Sequence, residues 1–241
     1  MIRALLLDLD GTLLEEDYVE ASLDAACIVI AERTGIPAEA LRLANDRAWP
    51  EYWSEIGDQW MRGTIAAADV ATEAWRRTLL ECGSNDGALV DFAMRIHERL
   101  EGERYRLYDD VPGALAAADA AGLAMAVVTN GASVTQRSKL QRVGIEGRFG
   151  GIAISGEVGA VKPEPEIFHF ALSALGMDAA SAVMIGDSLE NDIAGAHAAG
   201  ITSVWLNRTG EALPSGAVEP DHVIASLSEL PALLRAAEAA R

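Results

Sequence analysis

The stretch Arg3-Ala4-Leu5-Leu6-Leu7-Asp8-Leu9-Asp10-Gly11-Thr12 decides how the chain is read. Residues 3–7 form a continuous apolar run, the pattern of a strand buried on both faces of a parallel sheet. The run ends in two aspartates spaced two apart. In an extended chain Asp8 and Asp10 therefore project to the same side. Gly11 then permits a sharp departure of the backbone. The carboxyl end of such a strand is where open α/β sheets take their ligands.

Similar runs follow at 123–128, 150–154, 181–185, 201–206 and 222–224. Segments with helical spacing lie between or after them, at 112–121, 134–143, 165–175, 191–199 and 228–239, the last of which we extend to 241. Gly122, Gly144, Gly176 and Gly200 stand just past four of these, where a helix wants a left-handed residue. The alternation predicts an α/β fold with a Rossmann-like, doubly wound parallel sheet. From 16 to 104 the rhythm breaks. No strand is legible there, only helices at 19–34, 37–48, 65–81 and 86–101, and four of the five tryptophans. We read 1–15 plus 105–241 as the sheet-bearing core and 16–104 as a helical domain inserted after the first strand.

Charge and cysteine usage narrow the function. Acidic residues number 37 against 19 basic ones, a formal net charge of -18. That surface repels nucleic-acid polymers and anionic membranes, while a small anion can still bind where the charge is locally positive. The apolar start stops at Asp8, too soon for a secretory core, and no stretch is long enough to cross a bilayer. Cys27 and Cys82 make neither a metal cluster nor a disulfide framework, so a cytoplasmic protein is expected.

The candidate chemistry gathers at strand ends. Two unit charges about 4 Å apart, at an effective dielectric near 20, repel by roughly 4 kcal/mol. Asp8 and Asp10 together, with an anionic ligand added, therefore call for a hard divalent cation, and oxygen ligands favour Mg²⁺. Taken alone the pair would also serve as turn and cap residues. Thr129-Asn130-Gly131 ends the second strand with a hydroxyl, an amide and a free backbone N–H, which suits phosphate oxygens or an ordinary helix N-cap. Lys162 precedes Pro163 and Pro165, which fix a helix start. It reads as a charge partner for phosphate or as a surface lysine. Asp187 closes another buried strand, and Asp192 falls near the next helix start, as metal support or as a cap.

In this order, DLDGT, Thr129, KPEPEIF and GDSLEND resemble the four motifs of the haloacid dehalogenase-like hydrolase superfamily. The motifs run from Asp8 to Asp192, and the helical insert matches the cap position of that family. The tail DIAGAHAAGITSVWLNR is similar to the branch holding acylneuraminate-9-phosphatase-like and pyrimidine-nucleotidase-like members.

The resemblance implies a Mg²⁺-dependent phosphatase acting on a small phosphorylated metabolite. Asp8 would attack phosphorus and form an aspartyl-phosphate. Asp10 would protonate the leaving oxygen and later take a proton from water. Thr129, Asn130 and Lys162 would hold the phosphoryl oxygens. The metal would be held by Asp8, the main-chain carbonyl of Asp10 and Asp187, with Asp192 in support. Asp10 and Asp187 argue against a true dehalogenase, and Asp10 against a phosphonatase. A phosphomutase of the β-phosphoglucomutase type shares the first motif and stays open as the alternative. In the insert, Trp75 reads as core, Trp53 and Trp60 as packing residues or pocket candidates, and Arg62 as an exposed turn residue or a partner for an anionic part of the substrate.

Overall fold

The computed structural model describes residues 1–239. Six strands form one parallel sheet: β1 (Ala4–Leu7), β2 (Ala124–Thr129), β3 (Gly151–Ile154), β4 (Ala182–Gly186), β5 (Thr202–Leu206) and β6 (His222–Ile224), in the order β3-β2-β1-β4-β5-β6. Each lies on an apolar run read from the sequence. The runs are continuous because both faces are covered. Leu5 and Leu7 join one core with Val111 and Leu115 of α5 (Val111–Ala120) and Leu140 of α6 (Ser133–Arg142). Ala4 and Leu6 point the other way, to Ile167, Phe168 and Leu172 of α8 (Pro165–Leu175).

Between β1 and β2 the chain forms four helices: α1 (Tyr18–Thr34), α2 (Ala38–Met61), α3 (Ala67–Glu81) and α4 (Gly87–Gly102). They enclose an apolar cluster of their own, with Ile30, Leu41, Trp75, Leu79 and Ala93 at its centre. Trp75 is core, as its spacing predicts. Gly35 stops α1 with a left-handed backbone, its N–H donating to Ala31. The expected stop near 48 is wrong, because α2 runs through Pro50 to Met61. Proline in a helix interior forfeits one hydrogen bond and crowds the preceding turn. Burial of Tyr52 and Ile56 against Val70 and Ala74 compensates, a tertiary contribution that local propensity cannot register.

Two smaller departures lie near strand ends. A one-turn helix, α7 (Ser155–Val158), follows β3, and the helix expected at 191–199 starts earlier, as a wide π-helical turn (Leu189–Ile193) leading into α9 (Ala194–Ala198). The last helix, α10, spans Leu230–Ala239, and the continuation to 241 lies outside the described residues. Cys27 and Cys82 are free thiols. Among the described residues no helix is long and apolar enough to cross a membrane.

Candidate active site

The strand order sets the site. From β1 the sheet grows through β2 to β3 on one side and through β4 to β6 on the other, so the switch point lies at β1 and β4. Chains leaving neighbouring strands in opposite directions open a crevice at the carboxyl ends. Asp8 follows β1, Thr129 ends β2 and Asp187 follows β4. Asp8, Asp10, Thr129, Asn130, Lys162, Asp187 and Asp192 all line one cleft of about 190 Å³. Two glycines permit this crowding. At Gly11, with φ of 77°, a Cβ would stand 2.6 Å from Asp187 Oδ2, and at Gly186 one would stand 2.2 Å from Asp192 Oδ2.

Lys162 is the cation at the centre. Its Nζ donates to Asp8 Oδ1 at 2.5 Å and to Asp192 Oδ1 at 2.6 Å, and only 5% of the residue is exposed. Asn130 fixes the backbone beneath it: its amide donates to the Lys162 carbonyl at 3.1 Å and accepts the Lys162 N–H at 2.8 Å. Asp192 lies in the π-helical turn, fully buried, and Oδ2 accepts the Ser188 N–H at 3.0 Å. Thr12 donates to Asp187 Oδ1 at 3.3 Å, and the Trp205 indole donates to the Asp187 carbonyl at 2.8 Å.

Carboxylate oxygens of Asp8, Asp187 and Asp192 lie within 4.8 Å of one another. Three carboxylates against the single Lys162 ammonium leave two negative charges when all are ionised. Burial pushes the Asp8 carboxyl well above the usual range. Lys162 opposes that rise, and Asp192 and Asp187 add to it. Asp187 is also raised, by burial and then by Asp192. An all-oxygen set with this surplus fits a hard divalent cation such as Mg²⁺.

Asp10 has different company. Its carboxylate is engaged by α6 and by the first residue of α1: Gln136 Nε2 donates to Oδ2 at 2.8 Å, Lys139 Nζ to both oxygens at 2.9 Å, and the Tyr18 hydroxyl to Oδ1 at 3.2 Å. Burial pushes this carboxyl up, but Lys139, Gln136 and Tyr18 together outweigh it and hold Asp10 below the ordinary value. Gln136 Nε2 also donates to Thr129 Oγ1 at 2.6 Å.

A family model described as haloacid dehalogenase-like hydrolase matches residues 2–200. The chain belongs to that family. This hydrolase is 35% identical to a phosphoserine phosphatase of Thermus thermophilus, over 86% of this chain and 89% of that one. It is 27% identical to the N-acylneuraminate-9-phosphatase of Mus musculus, over 97% and 94%. Among solved structures, the Bacillus subtilis protein YfnB with magnesium bound superimposes with a TM-score of 0.68 at 27% identity, covering 97% of this chain and 98% of that one.

Several residues of this hydrolase's site are absent from the sequence reading. Gln136 and Lys139 stand i,i+3 on one face of α6, but that spacing is common on solvated helices and does not single them out. A buried lysine is unusual enough that only its partner explains it. Glu16 lines the same cleft, and burial, then Asp187 and Asp10, raise its carboxyl. Arg62 does not sit on a free turn. Its guanidinium binds Glu164 at 2.6 and 3.1 Å and Asp58 at 2.9 Å, and so joins the end of α2 to the turn after Lys162. Beside it, Gly63 packs so closely on Gly156 that a Cβ would stand 2.2 Å from the Gly156 carbonyl oxygen. Trp60 stacks edge-on with Trp53 at 5.5 Å and reaches Gly131, which follows Asn130.

Proposed function

We propose that this hydrolase is a Mg²⁺-dependent phosphatase that cleaves the phosphomonoester of a small metabolite, with Asp8 as nucleophile. Phosphoric monoester hydrolysis is also the class named for the phosphoserine and acylneuraminate relatives. The observation that carries the reading is the single cleft at the switch point, where Asp8, Lys162 and two further carboxylates converge beside a separately held Asp10.

The cation would be held by the carboxylates of Asp8 and Asp187 and the main-chain carbonyl of Asp10, with Asp192 in support. Bound there, it would neutralise charge on the nucleophile and the phosphoryl group. Asp8 attacks phosphorus as the bond to the leaving oxygen breaks, and Asp10 in its protonated form supplies that oxygen's proton. Since Lys139, Gln136 and Tyr18 favour the ionised form, Asp10 must take up this proton before the step. Asp10 then removes a proton from the water that attacks the aspartyl-phosphate, which returns Asp8 and releases phosphate. Thr129, Asn130 and Lys162 hold the phosphoryl oxygens, a largely electrostatic contribution fixed before reaction. The helices of 16–104 act as a cap that excludes water and meets the leaving group, with Trp60, whose ring approaches Gly131, as an aromatic candidate beside Tyr18.

Purified protein with Mg²⁺ should release phosphate from p-nitrophenyl phosphate, and EDTA should abolish that release. A panel led by phosphoserine, N-acylneuraminate 9-phosphate and pyrimidine nucleoside monophosphates would then rank natural leaving groups. Metal-independent turnover, or isomerisation of a sugar phosphate without net phosphate release, would refute the reading.

A further inference from the structure

We propose that Gln136 and Lys139 are positioning residues that fix the carboxylate of Asp10, and that Tyr18 is the partner which gives way to the leaving oxygen. The proposal rests on the acid–base role assigned to Asp10 above. A proton donor must be held within hydrogen-bond reach and in line with its target, and a free aspartate turns about two torsions. Lys139, only 5% exposed, meets both Asp10 oxygens at the same 2.9 Å and so fixes the plane of the carboxylate. Gln136 must turn its N–H toward Asp10, because an ionised carboxylate only accepts. The same Nε2 reaches Thr129 Oγ1 at 2.6 Å and ties the acid–base group to a phosphate-gripping hydroxyl.

The census of donors gives Tyr18 its part. A carboxylate offers about four lone-pair sites. Oδ1 accepts from Lys139 and Tyr18, and Oδ2 accepts from Lys139 and Gln136, so all are filled. Asp10 can take up the proton it hands to the leaving oxygen only where one of these donors withdraws. At 3.2 Å the Tyr18 bond is the longest of the four, and Tyr18 opens α1, in the inserted helices rather than in the sheet core. Gln136 and Lys139 share one helix of that core.

The test compares kcat/KM for an alkyl phosphate, whose leaving oxygen needs a proton, with kcat/KM for p-nitrophenyl phosphate, whose anion departs without one. Both esters are measured on the same preparation, so the fraction of folded enzyme cancels from the ratio. General acid catalysis is worth roughly 10²–10⁴ in rate, so Asp10→Asn should lower the alkyl-to-nitrophenyl ratio about a hundredfold. Lys139→Met and Gln136→Leu should each lower it about tenfold, and Lys139→Arg should restore part of the loss. Tyr18→Phe should leave the ratio within about twofold of the parent. If Asp10→Asn lowers the ratio while Lys139→Met and Gln136→Leu leave it unchanged, the positioning role fails alone. A fall with Tyr18→Phe as large as with Lys139→Met removes Tyr18 from its part. A ratio indifferent to Asp10→Asn refutes the acid–base role itself.

Discussion

Asp8 and Asp10 leave the same strand end two residues apart, yet the fold places them in opposite electrostatic settings. Asp8 shares its corner with Asp187 and Asp192 and has one cation, Lys162, which it must share with Asp192. Asp10 has Lys139 to itself, with Gln136 and Tyr18 donating as well. One carboxyl is pushed up and the other held down. These shifts belong to the cation-free protein. A divalent ion beside Asp8 would favour its ionised form, as the proposed attack on phosphorus requires, and Asp10 must take up a proton against the pull of Lys139 before it can give one. Sequence spacing makes the two look equivalent. What separates them comes from α6, the segment before α8 and the turn after β4.

The largest effect is expected at Asp8. Asp8→Asn should lower phosphatase activity by at least about 10³-fold, since residues acting as a unit lose nearly everything with one member. In EDTA the same variant should melt no lower than the parent, because it removes one of the mutually repelling charges. A thermal melt beside the p-nitrophenyl phosphate assay checks both halves.

Next in size is Lys162→Met. It strips the Lys162 ammonium from three clustered carboxylates and should destabilise the metal-free protein by about 3–5 kcal/mol, read from denaturant unfolding. Saturating Mg²⁺ should recover part of that loss. On the other side of the comparison, Asp10→Asn leaves the buried Lys139 without its carboxylate and should cost about 2–3 kcal/mol, with no recovery specific to Mg²⁺.

The smallest expected effect is a pH trend. Asp8 and Asp187 have raised folded-state values, so their contribution favours the fold when protonated, below the ordinary value of 3.8, and is lost as pH rises through the raised values. Asp10 is lowered, so its contribution is present above 3.8 and is lost as pH falls through the folded value. A divalent ion competes with protons for the first pair. The Mg²⁺-induced rise in melting temperature should therefore be larger at pH 8 than at pH 5. Equal rises at both would contradict the crowding at Asp8.

Much of this architecture was legible because buried parallel strands leave a local mark. Runs such as Leu5-Leu6-Leu7 and Val127-Val128 are apolar at every position since the sheet is covered on both faces. The residues ending those strands were legible for the same reason, as polar groups placed where apolar runs stop. Pro50 misled the reading of α2, because the packing that carries the helix past it comes from α3. Lys139 was invisible as a site residue, since its partner lies 129 positions away and nothing local distinguishes it from a surface lysine. The difference between Asp8 and Asp10 is therefore a property of tertiary structure.

On the proposed mechanism, Asp8 attacks phosphorus and carries the phosphoryl group covalently. Turnover quenched in acid and treated with borohydride should convert an aspartyl-phosphate to homoserine, and peptide mass spectrometry reads the position. Homoserine is expected at position 8 only in the presence of substrate and Mg²⁺, and not in Asp8→Asn. Homoserine at another aspartate, or full turnover with none trapped at position 8, would contradict attack by Asp8.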